Sequence, residues 1–446
     1  MIKFTFPLVI FLITYGCESF VEKSGSSLSY VNDEDISNID NISFLSNGVK
    51  NDYSRAHGYV SLWADLLSDA LVNDGKVQGS TDVRGEYLDN GYYDPTVGSY
   101  AGPYQAVAQS WRSAKSLKDK LDDLYADPTE NKDAYHLAYL YQGLSCYLLG
   151  TYFGRGPSYP TEGGATLNES PFIPTSDLYT MALSYFDSAS AYAGEYDLRV
   201  INSLIGRLHL YSQNYTLATT HALMGLQEND IPLEALPGLE DPWPNWYWYE
   251  AGNNRTRYTL DSRFKLMLGE DFSDDNQNGT WDVDETFYDC AISGYDVGEG
   301  DGMYNPPDQP EEASRLSVSI ASMAPETGYV RYFQTKYPDA DTPIPIINWQ
   351  ENHLMLAELS IRGENAGISA TDAINAVRAA YGISPLSETN LEVLIEERDK
   401  ELFCQGQRLI DQNRFSETLD WHLIDSDTWH YLPIPYEEEL ANPNYP

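Results

Sequence analysis

Apolar residues return every three or four positions through most of this chain, the period of a helix with one buried face. In a stretch that begins near Asn51, the residues Tyr59, Leu62, Trp63, Leu66, Leu67, Ala70 and Leu71 share such a face. The same spacing predicts helices over 103–125 and 132–152, then over 177–192 behind an N-cap at Ser176. Two more are expected at 202–211 and 215–226, on either side of a turn at Gln213 and Asn214, and the pattern resumes at 346–361 and 371–381. Small residues at Ala138, Gly143, Gly206, Ala218 and Ala222 let paired helices approach closely, which predicts tetratricopeptide-type packing with degenerate repeats. The expected fold is therefore mostly α. It is a single domain over 51–446, with helical repeats at about 51–230 and 346–412 and loop-rich insertions at about 232–259 and 269–343. Those insertions, with a Gly-, Asp- and Tyr-rich loop at 82–99, are where a ligand-facing side is expected, because binding groups concentrate on loops held by a rigid frame.

The charge balance narrows the partners. The 446 residues carry 27 Lys and Arg against 68 Asp and Glu, a net charge of −41. Such a surface repels phosphate backbones and anionic membranes, so no nucleic-acid partner is expected, and the plain reading of the charge is solubility. At the N-terminus, Lys3 precedes a nearly all-apolar run from Phe4 to Tyr15, and Gly16 and Cys17 follow. The run is too short to span a membrane as a mature helix and reads as a signal peptide over 1–16. Cleavage before Cys17 would leave a lipidated N-terminal cysteine on a polar tether over 17–50; a plain secretory signal with a structural cysteine is the other reading. The remaining three, Cys146, Cys290 and Cys404, have neither the number nor the spacing of a disulfide framework or a zinc site.

Two short segments carry candidate chemistry. Between 274 and 285, oxygen-bearing side chains fall at positions 1, 3, 5, 9 and 12 of an EF-hand loop: Asp274, Asn276, Asn278, Asp282 and Glu285. Thr280 would add its backbone carbonyl at position 7, and Gly279 stands at position 6, where the chain must turn sharply. A hard cation takes six or seven oxygens, so this spacing predicts one structural calcium ion in a lone loop. The second segment holds Trp243, Trp246, Tyr247, Trp248 and Tyr249 within seven residues, with Arg255 shortly after. Aromatic faces beside amide and guanidinium donors suit the apolar faces and hydroxyls of a neutral sugar, and a peptide can use the same surface. The competing reading is that the rings fill the gap between loop and helices; Pro242 and Pro244 argue for an irregular surface loop. Metalloprotease, phosphate-loop, serine-hydrolase and CxxC motifs are all absent, and the histidines are scattered, so the chain reads as a binding protein and not an enzyme.

Several elements, in order, resemble one known family. They are the helix ending Tyr152, Phe153, Gly154, Arg155, Gly156, Pro157; the element Asp261, Ser262, Arg263, Phe264; and Leu356, Ala357, Glu358 followed by Gly363 and Asn365. Next come Ala373, Asn375, Val377 and Arg378, and then Glu397, Arg398, Glu401, Leu402, Gly406 and Arg408. In this order they resemble the SusD/RagB family, surface lipoproteins that cap TonB-dependent outer-membrane transporters. Gln405 stands where the family usually has an acid, and the chain is short for the family. The resemblance implies a scaffold of about eight helices with long functional loops, and it favours lipidation of Cys17. It also implies a SusC-like TonB-dependent barrel as partner, a lipid anchor in the outer membrane with the protein on its extracellular face, and capture of an oligosaccharide or peptide for import. An alternative implied by the short length is a non-catalytic SusD-like structural subunit of an outer-membrane assembly or secretion complex, with no small ligand. A stand-alone glycan-binding lipoprotein is a further one.

Overall fold

The computed structural model describes residues 42–73, 85, 88, 101–160, 170–238, 244–252, 257–289, 302–320, 332–416 and 430–445. Six helices come first: α1 (Ile42–Leu67), α2 (Ala101–Leu124), α3 (Lys132–Tyr152), α4 (Thr175–Ser190), α5 (Glu195–Tyr211) and α6 (Tyr215–Ala222). Two short ones, α7 (Trp246–Ala251) and α8 (Ser262–Leu268), lie in the middle of the chain. The last five are α9 (Trp349–Ile361), α10 (Ala370–Ala380), α11 (Leu391–Glu401), α12 (Arg408–Phe415) and α13 (Tyr436–Ala441). Among the described residues eight strands accompany them: β1 (Leu71–Asn73), β2 (Arg155–Pro157), β3 (Phe172–Pro174), β4 (Leu233–Ala235), β5 (Tyr258–Leu260), β6 (Val318–Ile320), β7 (Tyr332–Gln334) and β8 (Ile344–Ile347). They form two-stranded antiparallel pairs, β1 with β5, β2 with β3, β4 with β8 and β6 with β7. Leu71 stands opposite Leu260, and Ile320 opposite Tyr332.

Helices that follow one another in the chain pack together: α1 on α2, α2 on α3, α3 on α4, α5 on α6 and α9 on α10. The α3–α4 crossing shows why small residues matter. A Cβ at Gly143 would come within 2.5 Å of Phe186 Cε1, so only hydrogen fits there. At the α5–α6 crossing, Gly206 faces the backbone of Ala218 and Ala222 in the same way. One continuous apolar core runs from Ile42 to Leu432.

Three expectations are corrected. The first helix begins at Ile42, inside the segment read as tether, where Ile42 and Val49 are buried and Leu45 packs against the core. Helix α4 starts at Thr175, with Pro174 as its N-cap residue, so Ser176 lies inside the first turn and caps nothing. Thr175 Oγ1 instead donates to Gly150 O and Gly154 O, tying the new helix to the end of α3. Helix α5 starts at Glu195, well before 202, and Asp197 accepts from Gly194 N at its first turn.

Buried charges join the two ends of the chain. Arg398 is fully buried and donates to Asp411 through Nε (2.7 Å) and Nη2 (3.0 Å). From α12, Arg408 Nε and Gln412 Nε2 both donate to Ser68 O, just beyond α1. Between α11 and α12, Gly406 has φ +73° and lies so close to α1 that a Cβ would sit 2.6 Å from Ser61 Cα. Both the backbone conformation and the space require glycine at that position. Elsewhere, buried Arg207 on α5 pairs with Glu351 on α9 and donates to Ile346 O of β8. Glu312 and Arg315 in the middle insertion meet Arg378 and Glu397 of the C-terminal helices.

Asp411→Ala leaves Arg398 buried with its main partner gone. The expected loss is about 3–5 kcal/mol, the cost of an uncompensated buried charge. A urea unfolding midpoint indistinguishable from that of the parent protein would show that the pair does not hold the helices together.

Candidate ligand-binding site

Helix α7 gathers most of the aromatic cluster. Asn245, itself buried, starts it: its Oδ1 accepts from Tyr247 N (2.9 Å) and Trp248 N (3.2 Å). The same residue is bound from outside the helix, since its Nδ2 donates to Thr342 O (2.8 Å) and its backbone N donates to Ala340 O (2.7 Å). The expected irregular loop is therefore a capped helical turn over these residues. Helical spacing sorts the side chains: Tyr247, Glu250 and Ala251 point inward, while Trp246, Trp248 and Tyr249 are half-buried. Arg257, half-buried, closes the inner side with a 3.4 Å contact to Glu250.

Tyr247 is a core residue, which corrects its assignment as a ligand contact. It is wholly buried, its ring stacks on Tyr337 at 5.3 Å, and its Oη donates to Asp65 Oδ2 at 2.6 Å. Burial raises the pKa of both groups; Asp65 is pushed up to about 7, against the opposing effect of hydrogen bonds from Tyr247 and Gly406 N. Trp246 is part platform and part packing. Its indole stacks on Tyr59 of α1 at 4.5 Å and meets Tyr249 edge-on at 5.9 Å. The half-buried rings of Tyr59, Trp246 and Tyr249 thus lie together beside Trp248. The helical period places Tyr59 only on a core face; a ring at the edge of that face is the signal that could have brought it into the site. Trp243 and Arg255 lie outside the described residues, as does Cys17.

The acidic loop is a separate unit on the insertion after α8. Its ends are closed by an antiparallel bridge between Phe272 and Phe287, and the ring of Trp281 stacks on Tyr304 at 4.9 Å. Gly279 has φ +77°, the sharp turn expected at position 6. Glu285 is buried, and its two carboxylate oxygens accept from Asp275 N (2.9 Å) and Asp282 N (3.0 Å). Asp274 accepts from Asn278 N and Gly279 N, while Asn276 and Asn278 both donate side-chain N–H groups to Asp282 Oδ2. Thr280 N donates to Asn278 Oδ1. Among the described residues no group of three or more His, Cys, Asp or Glu side chains is gathered closely enough to hold a metal.

No family model matches the chain, and no curated protein matches it. Solved structures do. A SusD-like protein from Bacteroides fragilis superposes with a TM-score of 0.65 at 14% identity, covering 93% of this chain and 97% of the other. The fold is SusD-like. A laminarin-binding SusD-like protein has a TM-score of 0.62 at 18% identity, with 92% of this chain and 100% of the other covered. Surface glycan-binding protein A from Bacteroides uniformis gives 0.62 at 14%, covering 92% and 99%. The SusD-like frame also explains the motifs quoted for the resemblance. Asp261 caps α8, Arg263 pairs with Asp399, and Phe264 packs edge-on against Phe403 at 4.8 Å. These residues make structural contacts within the frame. Among the described residues, no helix is long and apolar enough to cross a membrane.

Asn245→Ala removes the cap of α7 and its tie to Thr342 together. An expected loss of about 2 kcal/mol, at the upper end for an N-cap, would be read from urea unfolding followed by tryptophan fluorescence. A loss under about 0.5 kcal/mol would mean that α7 is held by its rings alone.

Proposed function

We propose that this chain is a non-catalytic, cell-surface binding protein that captures a neutral oligosaccharide and serves as the lid of a SusC-like TonB-dependent barrel. The observation that supports it most is the half-buried face formed by Tyr59, Trp246 and Tyr249 on a capped, core-anchored helix. Rings held this way present flat apolar faces without the ordering cost of a free loop, which suits stacking against sugar rings. The SusD-like fold, shared with a laminarin-binding SusD-like protein and a surface glycan-binding protein, supports a glycan over a peptide. The net charge of −41 disfavours anionic ligands. Lipidation of Cys17 and an outer-membrane address on the extracellular face follow from the N-terminal pattern together with the resemblance.

Tyr249→Ala takes away an outer ring while leaving Tyr247 and its buried contacts in place. On a panel of neutral oligosaccharides that includes laminarin fragments, the expected result is an affinity loss of about tenfold, or about 1.4 kcal/mol, with an unchanged melting temperature. Unaltered binding, or no binding by the parent protein to any glycan in the panel, would remove this reading. Gentle detergent pull-down then separates the partners: one TonB-dependent barrel supports the lid, and a set of envelope-assembly proteins supports the structural-subunit alternative.

The acidic loop is proposed to bind one structural calcium ion. Asp274, Asn276, Asn278, Asp282 and Glu285 would supply side-chain oxygens and Thr280 its carbonyl. The side-chain N–H bonds from Asn276 and Asn278 to Asp282 would have to give way. A ligand at about a hundred times its dissociation constant stabilises by about 2.7 kcal/mol, so calcium should raise the melting temperature of the insertion. Asp274→Ala combined with Glu285→Ala should abolish that rise. Identical melting of the parent protein with calcium and with chelator would show that the loop is not a site.

A further inference from the structure

We propose that Asp65 is the positioning residue of the aromatic site: its buried carboxyl group holds Tyr247, and through Tyr247 it sets the placement of Trp246, Trp248 and Tyr249. The functional part of this rests on reading α7 as the ligand platform; the structural part does not.

Asp65 lies on α1 and is 1% exposed. Among the described residues its hydrogen-bond partners are neutral: Tyr247 Oη at 2.6 Å and Gly406 N at 3.1 Å, both on Oδ2. A buried carboxyl group without an ion pair is costly, and core packing alone would be served better by an apolar side chain. What this carboxyl does is join α7 to the turn at Gly406. The link is doubled by Tyr337, which stacks on Tyr247 and donates from Oη to Cys404 O at 2.9 Å. Lys336 beside it donates to Phe403 O at 2.8 Å. The aromatic helix is thus fastened to the same turn that joins the chain's two ends.

The titratable and charged groups around Asp65 come from every neighbouring element. They are Tyr247 of α7, Lys336 and Tyr337 after β7, Arg398 and Asp399 of α11, Cys404 of the turn, and Arg408 and Asp411 of α12. The groups of α11 and α12 line, with Asp65, an internal cavity of about 10 Å³, which has room for roughly one water. In this setting burial outweighs the two hydrogen bonds, and the Asp65 carboxyl titrates at about 7. A solvated aspartate titrates near about 3.9. The folded value is the higher one, so the protonated form favours the closed helix, and proton release favours any state in which α7 has lifted and Asp65 meets water. Opening of α7 should be lowest below about pH 4, rise by up to about tenfold per pH unit, and level off above about pH 7.

The test is hydrogen exchange of the full, ligand-free chain at pH 5 and pH 7, corrected for intrinsic rates, comparing peptides over 246–251 with peptides from α3. The opening constant of α7 is expected to rise by at least about tenfold between the two pH values, independently of α3. In Asp65→Asn, which keeps an acceptor oxygen for Tyr247 but cannot titrate, the rise should fall below about threefold. Tyr247→Phe keeps the ring stack and loses only the hydroxyl, so it should raise opening at pH 5 by about tenfold; it decides the matter alone if Asp65→Asn does not fold. The proposal is overturned if Tyr247→Phe leaves α7 exchange unchanged, if α7 opens only in step with α3, or if Asp65→Asn keeps the parent's pH slope. No ligand is involved, so a failed glycan screen overturns the binding reading and leaves this result standing.

Discussion

The turn between α11 and α12 has to lie flat against α1, and much of the remaining architecture follows from that contact. Gly406 approaches Ser61 so closely that no side chain fits, and Arg398 and Asp411 are buried on the other side of the turn. Once the turn is seated, Arg408 and Gln412 reach Ser68 O, Phe264 meets Phe403, and Tyr337 and Lys336 find the carbonyls of Cys404 and Phe403. Each of these contacts joins segments far apart in sequence. The described residues of the middle of the chain, which form only short helices and strands, are tied to a junction between its first and last helices.

That junction also shapes the surface. Arg207, Arg315, Arg378, Arg398, Arg408 and Lys400 are all buried. These cations compensate interior carboxylates, so the solvent-facing side has fewer positive charges than the composition suggests. Burial of paired charges adds little net stability, since desolvation offsets attraction, but a misplaced partner is heavily penalised. The pairs therefore act on register more than on stability: Arg207 with Glu351 sets how α9 crosses α5, and Arg315 with Glu397 sets where the insertion returns. The resulting surface is strongly acidic and repels anions.

Much of this frame was legible in the sequence because helices with one buried face leave a periodic trace. The pairs around Gly143 and Gly206 could be read from small residues at crossings, and the family's motifs could be read from their order. Boundaries failed where the signal was tertiary. Ile42, Leu45 and Val49 form a sparse apolar pattern beside the polar N-terminal segment until their burial is seen, and Pro174 fixes the start of α4 through the strand before it. The site was only half legible. A cluster of rings announces itself by composition, but which rings face inward depends on the local period, and flanking prolines concealed a helix only six residues long. Asn245 carries the ordinary N-cap signal, but nothing in the local sequence marks Asp65 or Tyr337, because their importance lies in partners that are distant along the chain.

A helix that short has no stability of its own; nucleation costs more than a single turn returns. Its existence is therefore evidence about its surroundings. Asn245 fixes the first turn, Tyr247 fixes the inner face, and Glu250 with Arg257 closes the end, so the geometry of the outer rings is imposed from below. Rings held in this way do not need to be ordered again when something lands on them. The contacts that bury Tyr247 thus fix how Trp246 and Tyr249 are presented, so the placement of the half-buried rings is set by the buried face of the same helix.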